Sequence, residues 1–153
     1  MLFRKSEFMD AAISQAKIAC KIGEVPVGAT IVQNNRIIAA SHNLVVTNND
    51  ATAHAEILSI RDACNKLETH RLDDCEIFVT LEPCAMCMKA IILAKIKKLY
   101  FGAYSFKTGA VFHGENMIQC YKSFDLKVVG GLKETECSVL LKDFFRSVRG
   151  DLF

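Results

Sequence analysis

The chain has 153 residues, 51% of them hydrophobic and 24% charged, which is the balance of a globular protein long enough to bury a full core. Its formal net charge of +2 is too small to indicate a nucleic-acid binder, so an RNA partner would need a local basic patch. Seven cysteines is an odd number for a disulfide framework. Because the sequence has no apolar signal segment and no apolar run of membrane-spanning length, we expect reduced thiols and no membrane partner. We therefore expect one domain over residues 1–153, acting in the cytoplasm with reduced thiols.

The first half of the chain predicts a helix, a hairpin and a second helix. Residues 7–22 place apolar side chains at helical intervals, and the glycine and proline that follow end this helix. Two β-rich segments, 27–32 and 36–40, flank "QNN", whose asparagines tolerate the left-handed conformations of a tight hairpin. A polar loop then leads into an amphipathic helix over 53–68.

The second half alternates strands and helices. The pattern predicts a buried strand over 76–80, a helix from about Cys84, a strand over 97–103, a fifth strand over 126–130 and a closing amphipathic helix over 137–148. Strands that alternate with helices indicate an α/β layered domain with helices on both faces of the sheet.

Two strand-to-helix junctions, "AHAE" and "PCAMC", carry the residues with chemistry. Cys84 and Cys87 are three residues apart and share one helix face in the first turn, where the helix dipole favours thiolates. With the imidazole of His54 they form a three-ligand set for Zn²⁺, which leaves the fourth position to water as in catalytic sites. Glu56 would then be the general base and acid for that water.

Each motif alone has an ordinary structural interpretation. A lone CxxC could be a redox pair, half of a structural zinc site or two buried thiols. A histidine and a glutamate at a helix start could simply be a solvated first turn. Because both motifs follow a strand and open a helix, their combination favours a catalytic zinc site.

The combination H-x-E and P-C-x-x-C is the signature of zinc nucleobase deaminases, and the chain resembles one of their families. It is similar to the bacterial tRNA-specific adenosine deaminases, of the cytidine-deaminase-like superfamily, over nearly its whole length. The similar segments are "EVPVGATIV", "HN", "TAHAEI", "VTLEPCAMC", "YFGA", "KTGA" and "ECSVLLKDFFR". The zinc motifs mark only the superfamily, whereas "KTGA" and the C-terminal segment narrow the resemblance to the tRNA-acting branch.

This resemblance implies a fold, a reaction and partners. The fold would be a three-layer α/β/α domain with a central, mostly five-stranded mixed sheet. The reaction would convert the wobble adenosine of a tRNA anticodon loop to inosine in a homodimer with one Zn²⁺ per subunit, with Glu56 moving the protons. The target base would have to be flipped into the pocket.

The resemblance also implies substrate contacts. Asn43 would hydrogen-bond the nucleotide, Val27 would line the base pocket and Phe145 would pack near the flanking RNA. Asn43 could instead only stabilise a turn, and the two apolar residues could belong to the core. The candidates for phosphate contacts, which could equally be a solvated surface, are Lys107, Lys142, Arg146 and Arg149.

The chain departs from this family in the segment "GAYSFKTGA". Ser105 stands where relatives carry an aspartate, and Phe106 stands at a position that is usually small. Because this loop lies beside the RNA in relatives, we expect its contacts to the flanking nucleotide to differ from theirs. We expect Ser105 to weaken discrimination between RNA and DNA, because a neutral hydroxyl replaces a charge-assisted contact to the ribose 2′-hydroxyl.

Two other functions compete with this interpretation. A deaminase of a free base or nucleoside, of the guanine or cytosine type, would keep His54, Glu56, Cys84 and Cys87, and the tRNA-type C-terminal segment argues against it. A non-catalytic zinc module would need a fourth Cys or His ligand and would not need Glu56.

Overall fold

The computed structural model of the chain describes residues 2–111 and 124–150. This part of the chain contains four helices: α1 (Leu2–Lys21), α2 (Ala55–Leu67), α3 (Ala85–Leu93) and α4 (Glu134–Gly150). The predicted helices are confirmed, with shifted ends. Helix α1 begins at Leu2 instead of residue 7, because its first turn mixes charged and apolar residues and so lacks the apolar spacing that the prediction used.

Five strands form one mixed sheet: β1 (Gly28–Gln33), β2 (Arg36–His42), β3 (Cys75–Leu81), β4 (Lys98–Ala103) and β5 (Lys127–Val129). Their order is β2-β1-β3-β4-β5. Strand β1 is antiparallel to β2 and β3, whereas β3, β4 and β5 run parallel. The predicted five-stranded mixed sheet is confirmed.

A two-residue turn joins β1 to β2. Asn34 and Asn35 both have positive φ angles, of 51° and 60°, and the flanking Gln33 and Arg36 are paired. Positive φ at both central residues is typical of the type I′ turn, whose twist matches that of the flanking strands. The asparagines therefore have the role that the sequence predicts for them.

Side chains along the central strand β3 alternate between two buried clusters, one on each face of the sheet, and helices cover both faces. Ile77 and Val79 belong to one buried cluster, which includes side chains of α2 and α3, whereas Phe78 belongs to the cluster of α1 and α4. Successive residues of a strand point to opposite faces, so β3 is buried on both sides. This confirms the three-layer α/β/α arrangement.

Helix α4 lies close to β4 because a glycine makes room for it. A β-carbon built on Gly102 would stand 2.3 Å from the sulfur of Cys137, which is buried in the first part of α4. The close approach fixes where this helix crosses the sheet.

No helix in residues 2–111 and 124–150 has both the length and the apolar composition needed to cross a membrane.

Candidate metal centre and substrate cavity

Three potential metal ligands come from two neighbouring helix starts. His54 is the N-cap of α2 and Cys84 is the N-cap of α3, both with extended backbone angles. Cys87 is the third residue inside α3 and is fully buried. Neither N-cap side chain hydrogen-bonds to its own helix. Both are directed at this common site instead.

The donor atoms are spaced as a tetrahedral metal site requires. The Nδ1 atom of His54 lies 3.7 Å from the sulfur of Cys84 and 3.4 Å from that of Cys87. A tetrahedral Zn²⁺ ion with ordinary bond lengths holds a nitrogen and a sulfur ligand about 3.6 Å apart. Within the described residues this is the one group of three or more His, Cys, Asp or Glu side chains whose donor atoms lie within 4.8 Å of one another. The donor set therefore fits a metal ion.

The ligand cluster favours a thiolate. A hydrogen bond from Cys87, with a further contribution from His54, lowers the pKa of Cys84 to about 4. In turn, the hydrogen bond with Cys84 raises the pKa of His54. Cys87 is the donor to that thiolate, which raises its own pKa. A cation at this position would replace the proton that the two sulfurs share, since metals bind the thiolate form.

Glu56 lies beside the ligands without belonging to their group. It is the second residue of α2 and only 4% exposed, and burial raises the pKa of its carboxyl group. It lines the same cavity as His54 and Cys84. A raised pKa means that the carboxyl group holds a proton more readily, which suits a group that must both accept and return one.

The cavity above this cluster has a volume of about 570 Å³, within the range of small-molecule sites. Val27 and Asn43, two of the predicted substrate contacts, line it. Phe145 is not among the lining residues, and Phe144 and Val148 of the same helix are. Its other lining residues are Gly23, Glu24, Val25, Val45, Val46, His54, Ala55, Glu56, Leu81, Glu82, Cys84 and Thr108.

Asn43 stabilises a turn as well as lining the cavity. Its Oδ1 accepts a hydrogen bond of 3.3 Å from the amide of Val45, and its Nδ2 donates one of 3.4 Å to the carbonyl of Val25. The first bond is an Asx-type turn, in which an asparagine side chain replaces a backbone acceptor. The turn-forming role considered for Asn43 is therefore confirmed, and its contact with a nucleotide stays a prediction.

The sequence interpretation missed two buried carboxylates in the cavity wall, Glu24 and Glu82. Glu24 accepts hydrogen bonds of 2.8 Å from the amide of Val46 and 3.3 Å from that of Thr47. Charge-assisted bonds to backbone amides are stronger than neutral ones. Glu24 therefore fixes the loop between β2 and α2 against the end of α1.

Glu82 fixes the opposite loop, residues 104–111. Its two carboxylate oxygens accept hydrogen bonds of 3.2 Å from the amide of Ser105 and 3.1 Å from that of Val111. A β-carbon on Gly109 would stand 2.2 Å from Glu82 Oε2, so the glycine of "KTGA" is needed for this contact. Gly109 also forms a β-bridge with Cys84. The loop is thereby attached to the turn that carries Cys84, one of the potential metal ligands.

The two unusual residues of this loop have different surroundings. The hydroxyl of Ser105 lies 2.9 Å from that of Thr108 and 3.4 Å from its amide, so it stabilises the loop's own turn. Phe106 is 80% exposed, and the neighbouring Lys107 is exposed as well. The other basic candidates, on the outer side of α4, are also exposed: Lys142, Arg146 and Arg149.

Comparisons with known sequences agree with this geometry. A model of the MafB19-like deaminase family matches residues 3–149. A tRNA-specific adenosine deaminase of Bacillus subtilis is 43% identical over 143 residues, covering 93% of this chain and 89% of its own. A protein of the same name from Agrobacterium fabrum is 43% identical over 150 residues, covering 96% and 97% of the two chains.

Solved structures give two further comparisons. A chain from a study of A-to-I editing by tRNA:A34 deaminases at the wobble position superposes with a TM-score of 0.83 at 42% identity, covering 88% of this chain and 99% of that one. A guanine deaminase of Nitrosomonas europaea superposes with a TM-score of 0.82 at 26% identity, covering 91% and 83%. The two solved structures are equally similar to this chain in fold, but the sequence of the first is more similar to it than that of the second.

Proposed function

The chain belongs to the MafB19-like deaminase family, and we propose that it hydrolytically deaminates adenosine to inosine at the wobble position of a tRNA anticodon. One observation carries the proposal. The cavity is lined by Glu56 and by two of the three potential metal ligands, His54 and Cys84, in a chain 43% identical to two proteins named tRNA-specific adenosine deaminase. The enzyme is therefore a tRNA adenosine deaminase in this account.

We propose that the metal is Zn²⁺, one ion per subunit, held by His54, Cys84 and Cys87. One nitrogen and two sulfur donors suit zinc and disfavour the oxygen-seeking Mg²⁺ and Ca²⁺. When bound, the ion would lower the pKa of a water molecule and so supply a nucleophile at neutral pH.

The side chains of the cavity supply the remaining steps. Glu56 would accept a proton from the attacking water, deliver it to N1 of adenine and then assist departure of the exocyclic amino group as ammonia. Val27 would contact the base, and Asn43 would orient the nucleotide with whichever amide atoms its turn leaves available. A cavity of about 570 Å³ accommodates a base that has been flipped out of the anticodon loop.

The RNA outside the cavity would be held by the exposed basic residues of the two elements at its rim. Lys107 lies in the loop fixed by Glu82, and the basic residues of α4 lie on the helix that supplies Phe144 to the cavity wall. Lysine and arginine contacts to phosphates position RNA without reading its sequence. We keep Phe145, which is exposed on the same helix, as a candidate for packing near the flanking RNA.

We further propose that the protein acts as a homodimer, in the cytoplasm and as one deaminase domain. Support for the dimer comes from α3, whose outward positions are mainly small or apolar: Ala85, Met86, Lys89, Ala90 and Leu93. Burying such an exposed apolar face in a contact between two subunits lowers the free energy.

Two further observations support the compartment and the domain organisation. The thiolates of Cys84 and Cys87 would be oxidised in an oxidising compartment, which supports the cytoplasm. The family match spans residues 3–149, which supports one domain.

A substrate panel tests the reaction and its competitor together. Purified, zinc-loaded protein is incubated in parallel with total tRNA, adenosine, guanine and cytidine, and the products are measured by nucleoside mass spectrometry. We expect inosine from tRNA and no comparable turnover of the free compounds. Efficient release of xanthine from guanine, or of uridine from cytidine, with tRNA unchanged would overturn the proposal in favour of a small-molecule deaminase.

A further inference from the structure

One wall of the cavity is built from residues of two segments of the chain, 23–27 after α1 and 43–46 after β2. Asn43 joins the two segments at one end. Its backbone amide donates a 3.0 Å hydrogen bond to the carbonyl of Val27, and its side-chain amide donates one of 3.4 Å to the carbonyl of Val25. The orientation of the Asn43 side chain therefore depends on how the two segments are held together.

Glu24 holds the two segments together next to Asn43. It is 1% exposed, and its carboxylate accepts hydrogen bonds of 2.8 Å from the amide of Val46 and 3.3 Å from that of Thr47. Within the described residues Glu24 forms no ion pair, so backbone amides stabilise its charge. Burying a charge without a cation is costly, and the stronger, charge-assisted bonds to amides offset that cost only while the loop stays in place.

The other end of this loop is closed without Glu24. The amide of Leu44 donates a 3.0 Å hydrogen bond to the carbonyl of Ala53, which brings the two ends of residues 44–53 together. His54, one of the potential metal ligands, follows directly. We therefore expect loss of the Glu24 bonds to displace the cavity wall and to leave the metal ligands in place.

We propose that Glu24 is a positioning residue for the substrate, which orients the Asn43 side chain by holding Val46 against the end of α1. This inference rests on the proposed function, because it takes Asn43 as a substrate contact. Val45 completes the link, since it precedes Val46 and its amide donates to Oδ1 of Asn43. A wall that is already formed avoids the cost of ordering a loop during binding. Glu24 thus acts on KM and leaves the chemistry at Glu56 unchanged.

Steady-state kinetics with an anticodon stem-loop RNA that carries adenosine at the wobble position test the proposal. Glu24→Gln keeps the size of the side chain and removes its charge, whereas Glu24→Asp keeps the charge and shortens the side chain. Glu7→Gln, at an exposed glutamate of α1, is the control. Zinc content and hydrogen exchange of the backbone amides are measured on the same samples without RNA, so that the loop and the metal site are followed apart from the reaction.

We expect Glu24→Gln to leave the ordered loop in about a tenth of the molecules, which raises KM about tenfold while kcat and zinc content change little. The amides of Val46 and Thr47 should exchange faster, whereas those of α2 and α3 should keep their protection. Glu24→Asp should raise KM less, because its charge still attracts the same amides. Glu7→Gln should match the parent protein in every measurement.

A double-mutant cycle tests whether Glu24 acts through Asn43. If it does, Glu24→Gln should raise KM much less in an Asn43→Ala background than in the parent protein. If Glu24→Gln does not fold, the same comparison is made with Glu24→Asp. An equal fold-change in KM in the two backgrounds would overturn the proposal.

Two other results would also overturn it. One is an unchanged KM in Glu24→Gln although the amides of Val46 and Thr47 exchange faster, which would mean that the position of the loop does not matter to the substrate. The other is loss of both zinc and folding in both Glu24 variants, which would make the residue purely structural. Failure of the proposed function is a separate result, namely no inosine from the parent protein.

Discussion

His54 and Cys84 occupy N-cap positions, where serine, threonine, aspartate and asparagine are preferred because their side chains bond the first amides of the helix. Neither residue makes such a bond, because both donor atoms are directed at the shared site. Each helix start therefore gives up about 1 kcal/mol of capping free energy. A helix start that is less stable than its position allows is expected where the residues serve function instead of stability.

The same residues predict the effect of removing a ligand. Cys84→Ser should lower the bound zinc from one ion per chain towards zero, while the helix start gains a favourable capping residue. The folded structure without metal should consequently be no less stable than that of the metal-free parent. Elemental analysis and thermal unfolding of both metal-free proteins would measure this, with Cys64→Ser, a half-buried thiol outside the site, as the control. A full complement of zinc in Cys84→Ser would rule out this ligand assignment.

Glu56 gives a second prediction at this scale. Glu56→Gln keeps the size of the side chain and its hydrogen-bonding atoms but cannot exchange a proton at neutral pH. We expect zinc content and folding to be retained and kcat to fall by about 10²–10⁴, the usual contribution of general acid–base catalysis. Glu7→Gln, an exposed glutamate of α1, is the matched control. Near-normal turnover by Glu56→Gln would show that another group moves the protons.

The potential metal ligands and Glu56 could be picked out in the sequence because each motif is short and lies at a helix start. Glu24 and Glu82 could not be recognised, since glutamate is nearly always exposed and nothing local marks these two as buried. The amides that Glu82 binds are 23 and 29 residues further along the chain, and only the fold brings them together. The "TLEPC" and "KTGA" segments each resemble known motifs, but their contact through Glu82 and Gly109 is a property of the tertiary structure.

At the scale of elements, both loops at the cavity rim depend on a buried carboxylate. Helices and strands were predictable from apolar periodicity, which is a local signal, whereas loop conformation here is set by side chains of other elements. Glu24 holds the loop that follows β2, and Glu82 holds the loop that follows β4. The conformation of the rim is therefore set in part by residues outside the two loops.

Glu82→Gln tests this dependence. The amide side chain can accept from one of the two backbone amides but presents an N–H to the other, so one buried donor loses its partner. We expect the free energy of unfolding to fall by about 1–3 kcal/mol, with a several-fold rise in KM for anticodon stem-loop RNA and a smaller change in kcat.

The control for Glu82→Gln is Glu76→Gln, at the other end of β3, where a partly exposed ion pair of 3.3 Å to Lys98 would be lost. Pairs of this kind contribute about 0–1 kcal/mol. Denaturant unfolding and steady-state kinetics on both variants would separate the two effects. Equal destabilisation by the two substitutions, with KM unchanged, would contradict the role assigned to Glu82.

At the scale of the whole molecule, the proposed dimer surface is the outer face of α3, where Leu93 is 63% exposed. A homodimer formed through it should sediment at twice the mass of one chain at micromolar concentration. Leu93→Asp would place a charge in that contact and should shift the protein towards monomer, with loss of tRNA deamination. Ile18→Asp changes an exposed apolar residue of α1, on the other face of the sheet, and should do neither. A fully active monomer would contradict the dimer.

Position-specific detection of inosine tests the proposed deamination of the wobble adenosine. A tRNA with adenosine at the wobble position, and variants with that adenosine moved to each neighbouring position of the loop, are incubated with the zinc-loaded protein. Reverse transcription then reports inosine as guanosine at single-nucleotide resolution. We predict conversion at the wobble position alone, abolished by Glu56→Gln. Adenosine left intact in every tRNA by protein that carries a full complement of zinc would contradict it.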